Sequence, residues 1–263
     1  MFDLSIQIVN YNTKKYLVGC LDSILKDLKN SNISYKILIL DNDSSDDLGD
    51  LQLKYKQHNQ IEFYKNNKNV GFGGGHNILA KKIDAKYLLI LNPDILFIEE
   101  KTISRMLDCF LSDSSVKIVG PKLVNKNGRQ QAWDYGELHS LLARLLGSIG
   151  ISFWRPQNKV IEAAWVSGAV FLIERNIFDE LHGFDDKIFL YYEELELCLR
   201  ARQNKAKVMY DPAIKVLHVG LPSSSRNRYM FTSYGYVLDK HYKNNILYYP
   251  LKLTAKLLET IFK

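Results

Sequence analysis

Short, strongly apolar runs recur along the first half of the chain, and each stops abruptly at polar residues. Leu4–Val9 runs into Asn10-Tyr11-Asn12, and Tyr35–Leu40 runs into Asp41-Asn42-Asp43-Ser44-Ser45-Asp46. Tyr87–Leu91 runs into Asn92-Pro93-Asp94, and Ile61–Tyr64 leads through a short polar loop into Asn69-Val70-Gly71-Phe72-Gly73. A fifth run covers Val116–Val119. Between them lie stretches of helical periodicity near Lys15–Lys29, Asp47–His58, Gly75–Ile83 and Lys101–Leu111. Runs as uniformly apolar as Ile37–Leu40 and Leu88–Leu91 suit strands covered on both faces. Strand–helix alternation of this kind predicts an α/β fold: a doubly wound, mostly parallel central sheet flanked by helices. Ligands of such sheets sit beyond the carboxyl ends of the strands. The four polar clusters are therefore expected to line one cleft.

The second half is less regular. Leu138–Trp154 is largely apolar, Trp165–Glu174 reads as a strand entered by a turn, and Gly183-Phe184-Asp185 is a turn. Tyr191–Arg200 reads as a helix start, Lys207–Tyr210 and Ile214–His218 as two strands, and Leu251–Lys263 as an amphipathic helix. The expected organisation is one domain over 1–225, with a nucleotide-binding half to about residue 120 and an acceptor half from about 121, followed by a basic aromatic helical tail over 226–263.

Bulk properties narrow the class. At 263 residues, 46% hydrophobic and 24% charged, the chain can bury a sizeable core and is neither disordered nor fibrous. Three scattered cysteines without a CxxC pair fit a reducing compartment. The chain opens directly on an apolar strand without a signal-peptide pattern, and no run reaches the roughly 18 residues needed to cross a bilayer. A cytoplasmic location is expected. The net charge is +6; Arg226–Lys263 holds seven basic and two acidic residues, +5 of that total. A basic tail rich in Tyr and Phe suits an anionic surface, and peripheral contact with the inner face of the cell membrane is the expected use.

Each cluster has a chemical and a plain structural interpretation. Asp94, after a buried strand, can hold a hard divalent cation whose other ligands come from diphosphate and water; Asn92-Pro93-Asp94 is equally a common turn. Asp41 can accept from the imide N–H of a pyrimidine base, or belong to an ordinary cap or turn. Gly71-Phe72-Gly73 allows a backbone to approach a ligand, but His76 occupies the last glycine position of a dinucleotide fingerprint, so that motif is rejected. Glu193, Glu194 and Glu196 crowd a helix start, where the helix dipole favours anions and a carboxylate can serve as general base. Glu196 and Arg200 are spaced as a helical pair, read as a surface salt bridge. His218 ends an apolar run before Gly220; an imidazole there would tilt metal preference toward Mn²⁺.

Taken together and in this order, Val9–Asn12, Leu40–Asn42 with Ser44–Asp46, Asn69–Phe72 through His76-Asn77, Leu91–Asp94, Trp165 with Gly168, Gly183–Asp185, Glu193–Arg200 and His218 resemble the inverting family-2 glycosyltransferases of GT-A fold. Within that family the pattern is similar to bacterial rhamnosyltransferases of surface polysaccharide, such as O-antigen, synthesis. The resemblance implies that Asn10, Asp41, Asn42, Asn69, Gly71, Phe72 and Asn92 surround the nucleotide, that Asp94 and His218 hold Mg²⁺ or Mn²⁺, and that Glu194 or Glu193 is the base. It implies a nucleotide-sugar donor (dTDP-rhamnose, or alternatively a UDP-hexose) and a saccharide or lipid-linked acceptor. The family usually carries Asp where Glu194 and Glu196 stand, which leaves the choice between Glu193 and Glu194 open. Three rivals stand beside it: a nucleotidyltransferase, which would release pyrophosphate; a binding-only relative without catalysis; and a nucleic-acid binder using the tail, disfavoured because the tail carries no nucleic-acid motif and the acidic strand ends repel phosphate.

Overall fold

The structure is a computed structural model that describes residues 1–137, 154–220, 226–246 and 248–261. The apolar runs become parallel neighbours: β1 (Phe2–Asn10), β2 (Tyr35–Asp41), β3 (Ile61–Lys65) and β4 (Ala85–Leu91) lie side by side in the order β3-β2-β1-β4. Each is joined to the next by a helix: α1 (Lys14–Leu28), α2 (Gly49–Lys54) and α3 (Gly71–Ala80). Register sets the edge that matters. Asn10 pairs with Asp41 across β1 and β2, and Ile8 pairs with Leu91 across β1 and β4, so all three strands finish together.

Beyond β4 the sheet is mixed. β5 (Ile95–Phe97), α4 (Thr102–Ser112) and β6 (Val116–Val124) follow, then the short strands β7 (Tyr135–Gly136), β8 (Ile161–Glu162) and β9 (Trp165–Val166). β10 (Val170–Glu174) inserts antiparallel between β4 and β6. α5 (Arg175–Glu180) and α6 (Glu193–Gln203) lead to β11 (Lys207–His218), which pairs parallel with β6 and antiparallel with β5. The two strands expected over 207–218 are one, with a register shift between Asp211 and Lys215. The sheet order is β3-β2-β1-β4-β10-β6-β11-β5.

Apolar side chains are buried on both faces, as the uniform runs require. On one face Leu17, Leu21 and Ile24 of α1 and Ile103 and Met106 of α4 pack on β1, β2 and β4. On the other, Phe171, Ile173, Leu197 and Val208 form a core with the last two helices, α7 (Arg226–His241) and α8 (Tyr248–Ile261). Tyr234, Val237 and Leu238 of α7 and Leu251 and Ala255 of α8 belong to that core. Most of the apolar stretch Leu138–Trp154 falls outside the described residues.

Candidate active site

The polar strand ends meet in a continuous chain of contacts. Asn10 is fully buried; its amide donates to Ser44 Oγ at 3.0 Å and its carbonyl accepts from Thr13 at 2.7 Å. Asp41 accepts the Ser44 N–H at 3.1 Å, closing a turn. No side chain of the Asp41–Asp46 segment caps α2, which begins only at Gly49. Asn42, also buried, ties this loop to the next: its amide donates to Asn69 Oδ1 (2.9 Å) and Gly71 O (3.1 Å), and its carbonyl accepts from Asn66 (2.9 Å) and the Val70 N–H (3.2 Å). Asn10 and Asn42 thus shape the wall from beneath, while Asn69 and Phe72 are half-buried.

The glycines are helical, four residues earlier than their low propensity suggests. α3 starts at Gly71 rather than Gly75. Packing overrides propensity, because larger residues would not fit. A Cβ on Gly71, whose φ is +80°, would lie 2.2 Å from the Phe189 carbonyl oxygen; one on Gly73 would meet Phe184 at 2.8 Å, and one on Gly75 would meet Val9 at 2.8 Å. The Phe72 N–H donates to that same Phe189 carbonyl at 3.0 Å.

Gly168 and Gly73 fill the narrow space between Phe72, Phe184 and the glutamates. A Cβ on Gly168 would lie 3.3 Å from the Phe72 ring and 3.6 Å from Glu194 Cβ, and one on Gly73 would lie 3.7 Å from Glu193 Cβ. Glu193 is buried and Glu194 is half-buried. Both open α6 after two consecutive left-handed tyrosines, Tyr191 (φ 66°) and Tyr192 (φ 72°). Such a pair of bulky residues costs roughly 1–2 kcal/mol each and sets the direction in which the helix starts. Next to Gly168, the Ala169 carbonyl accepts the Asn92 N–H at 3.0 Å, which returns the ring of contacts to β4.

Asp94 and His218 face each other across β5 and β11. Asp94 is 3% exposed. Its Oδ2 accepts the Gly220 N–H at 2.9 Å, and its Oδ1 lies 3.5 Å from His218 Nε2. Burial alone would raise its pKa; a protonated His218 and the Gly220 N–H outweigh burial and hold the carboxyl below its ordinary range. The Asn92 amide nitrogen lies 3.4 Å from His218 Nε2. Among the described residues no group of three His, Cys, Asp or Glu is assembled. One carboxylate and one imidazole still fit a divalent ion that draws its other ligands from diphosphate and water.

Glu196 does something else. It is fully buried, not on the surface: its carboxylate takes Arg200 (2.9, 2.9 and 2.7 Å), Lys240 (2.7 Å) and His241 (2.9 Å). Arg200 also donates to the carbonyls of Leu181 (2.5 Å) and Gly183 (2.8 Å), and Lys240 reaches Asp185 at 2.6 Å. This network fastens α7 to the base of α6. Its partners on α7, Lys240 and His241, lie 44 and 45 residues away in sequence, a separation that no local spacing reports.

A mixed α/β sheet of this order, with polar residues at its strand ends, has the GT-A architecture of solved glycosyltransferases. The chain belongs to that class by sequence as well: residues 5–182 match the Glycosyl transferase family 2 model, and the protein is a member of that family. It is 26% identical to the low-salt glycan biosynthesis hexosyltransferase Agl10 of Haloferax volcanii over 82% of this chain and 67% of that protein. It is 25% identical to rhamnosyltransferase WbbL of Escherichia coli (81% and 82% covered). It is 23% identical to the N-acetylglucosaminyl-diphospho-decaprenol L-rhamnosyltransferase of Mycobacterium tuberculosis (78% and 75%). Among solved structures, GalNAc-T7 with UDP, GalNAc and Mn²⁺ superposes with a TM-score of 0.68 at 16% identity; all of this chain is covered but only 56% of that one. The Pyrobaculum calidifontis mannosyltransferase PcManGT with GDP-Man and Mn²⁺ gives 0.67 at 10% identity, covering 98% and 76%.

Proposed function

We propose that this chain transfers a sugar, best matched by L-rhamnose from dTDP-rhamnose, to a saccharide or lipid-linked saccharide acceptor in surface polysaccharide synthesis, with inversion at the anomeric carbon. The observation that carries the proposal is the hydrogen-bonded line from Asn42 to Asn69 and Gly71, with Gly168 in the narrow space between Phe72 and Glu194 and its neighbour Ala169 bonded to Asn92 beside Asp94 and His218. The names of the rhamnosyltransferase relatives support the sugar, and the decaprenol in one of them supports a lipid-linked acceptor.

The residues divide the work. Asp41, Asn69, Gly71 and Phe72 line the nucleotide, held in place by Asn10 and Asn42 beneath them. Asp94 and His218 are the residues to hold Mn²⁺ or Mg²⁺, which when bound would neutralise charge on the leaving diphosphate. Glu194, the more exposed of the two helix-opening acids, takes the proton from the acceptor hydroxyl as that oxygen attacks the anomeric carbon opposite the diphosphate. Glu193, buried against α3, positions the helix start.

The proposed place of work is the cytoplasmic face of the membrane, and no nucleic-acid partner is proposed. Among the described residues no helix is long and apolar enough to cross a bilayer. α8, however, exposes Tyr249 (78%), Leu253 (71%) and Leu257 (59%) on one face, beside the exposed Lys256. An amphipathic helix of that kind suits an anionic lipid surface.

A screen of nucleotide sugars with Mn²⁺ tests the proposal. Saturable binding of dTDP-rhamnose and acceptor-dependent release of dTDP are expected. Selective turnover of a UDP-hexose would replace the donor, and release of pyrophosphate would replace the reaction.

A further inference from the structure

β6 ends at Val124, directly beside Leu217 of β11. The chain then turns back through Asn125–Gly128, and Gln130 bridges to Val124. That return places Gln131 against His218, the next residue of β11, with two contacts. Gln131 Nε2 lies 2.6 Å from the His218 backbone oxygen, and Gln131 Oε1 lies 2.8 Å from His218 Nδ1.

Chemistry fixes both ends of this grip. A backbone carbonyl can only accept, so the NH₂ of the carboxamide must face it. The amide oxygen is then the atom at Nδ1, and an oxygen there requires a proton on that nitrogen. Nε2 is left pointing at Asp94 Oδ1, 3.5 Å away. In the Nδ1–H tautomer Nε2 presents its lone pair to the cleft, 3.4 Å from the Asn92 amide nitrogen as well as beside the Asp94 carboxylate, and a cation there would be shared by imidazole and carboxylate.

We infer that Gln131 is a positioning residue: it locks His218 into the Nδ1–H tautomer and so dedicates Nε2 to metal binding beside Asp94. The inference rests on the proposed role of His218 as a metal ligand. Gln131 is itself firmly mounted. Its N–H donates to Leu123 O at 2.8 Å, and the neighbouring Gln130 amide reaches the buried Asp134 at 3.0 Å and Tyr210 Oη at 2.7 Å. Tyr210 Oη in turn donates to Asp134 at 2.8 Å. Ligating histidines are commonly held through their second nitrogen in this manner, and loss of the holder costs roughly 10- to 100-fold in metal affinity.

The test uses the full chain with ¹⁵N-histidine, metal-free, at about pH 8.5, where an ordinary imidazole is neutral. Long-range ¹H–¹⁵N correlation, with His218 assigned by its absence in His218→Ala, should show the Nδ1–H form. Gln131→Leu should shift His218 toward the Nε2–H form and raise the dissociation constant for Mn²⁺ alone, read by electron paramagnetic resonance, roughly 10- to 100-fold. Gln131→Glu retains an acceptor for Nδ1–H and should keep the tautomer. An Nε2–H tautomer in the unsubstituted chain overturns the inference whatever the variants do. Unchanged Mn²⁺ affinity in Gln131→Leu, with affinity lost in His218→Ala, overturns it while leaving His218 a ligand. Unchanged affinity in His218→Ala overturns the metal role itself.

Discussion

Glu196 and Arg200, one turn apart on α6, meet through three nitrogen–oxygen contacts of 2.9, 2.9 and 2.7 Å at a carboxylate with no solvent exposure. Lys240 and His241 of α7 complete the cluster. Burial by itself would raise the Glu196 pKa, but the hydrogen bonds from His241 and Arg200 dominate and bring it from 4.5 down to about 2. Because the folded value lies below the ordinary one, the stabilisation is complete above about pH 4.5 and drains away as the pH falls toward 2. Removing one partner of a buried ion pair costs about 3–5 kcal/mol. Glu196→Gln is therefore expected to lower the denaturation midpoint at neutral pH with an unchanged m-value, and to flatten the acid limb of the stability profile. A midpoint equal to that of the unsubstituted chain at pH 7 would show that the cluster contributes nothing to holding α7.

Glu194 and Glu193 are adjacent in sequence but differ in accessibility, and their variants should differ in kind. Glu194→Gln keeps shape and removes the proposed base. Transfer should fall roughly 10²- to 10⁴-fold while donor affinity changes little. Glu193→Gln acts on the buried side, against α3, and should lower stability more than it lowers the chemical step. Steady-state rates with donor affinity measured by calorimetry separate the two. Substantial turnover by Glu194→Gln, with loss in Glu193→Gln, would exchange the roles.

Strand positions and the polar edge were legible because a strand covered on both faces must be apolar throughout, and its last residue is where a side chain can turn polar. Asn10, Asp41 and Asn92 follow from that rule alone. What was not legible depends on partners distant in sequence. The helical start at Gly71 is decided by Phe189, Phe184 and Val9 rather than by glycine's own preference. The placement of β10 antiparallel between β4 and β6 leaves no trace in its own residues. Glu196 looked like a surface partner of Arg200 because helical spacing reports neighbours along α6, not α7 lying over them. Gln131 carried no signal: its neighbours in sequence are ordinary loop residues, and only the return of the chain beside β11 gives it a task.

Two glycines of the site should respond differently to one added methyl group. Gly71 combines a left-handed φ of +80° with a Phe189 carbonyl 2.2 Å from any Cβ. Backbone on both sides cannot yield cheaply, so Gly71→Ala should cost about 3 kcal/mol or more. Gly168 has an ordinary backbone conformation and meets only side chains, Phe72 at 3.3 Å and Glu194 at 3.6 Å. Gly168→Ala should fold nearly as well as the unsubstituted chain. It should lose roughly tenfold in turnover if Glu194 is the base, because small displacements of a positioned base are costly. Thermal unfolding and initial rates on both variants check the contrast; equal destabilisation would mean that Gly168 is as tightly enclosed as Gly71.

Membrane contact is best tested on the outward face of α8 rather than by cutting the tail away. Deleting 226–263 would strip Tyr234, Val237 and Leu238 from the core and Lys240 from Glu196, so loss of binding would report unfolding. Tyr249, Leu253 and Leu257 are exposed and follow one another at helical spacing, whereas Tyr248, Leu251 and Ala255 face inward. Exposed substitutions usually stay within about 0.5 kcal/mol in stability. Leu253→Glu with Leu257→Glu should leave the unfolding temperature nearly unchanged. It should also weaken co-sedimentation with anionic vesicles at least about tenfold, by removing apolar insertion and adding negative charge beside Lys256. Lys256→Ala alone should remove about 1 kcal/mol of the attraction and reduce its salt dependence. Vesicle binding that is unaffected by the double substitution would move the contact to another face, and no binding by the unsubstituted chain would leave the stripe for a protein partner.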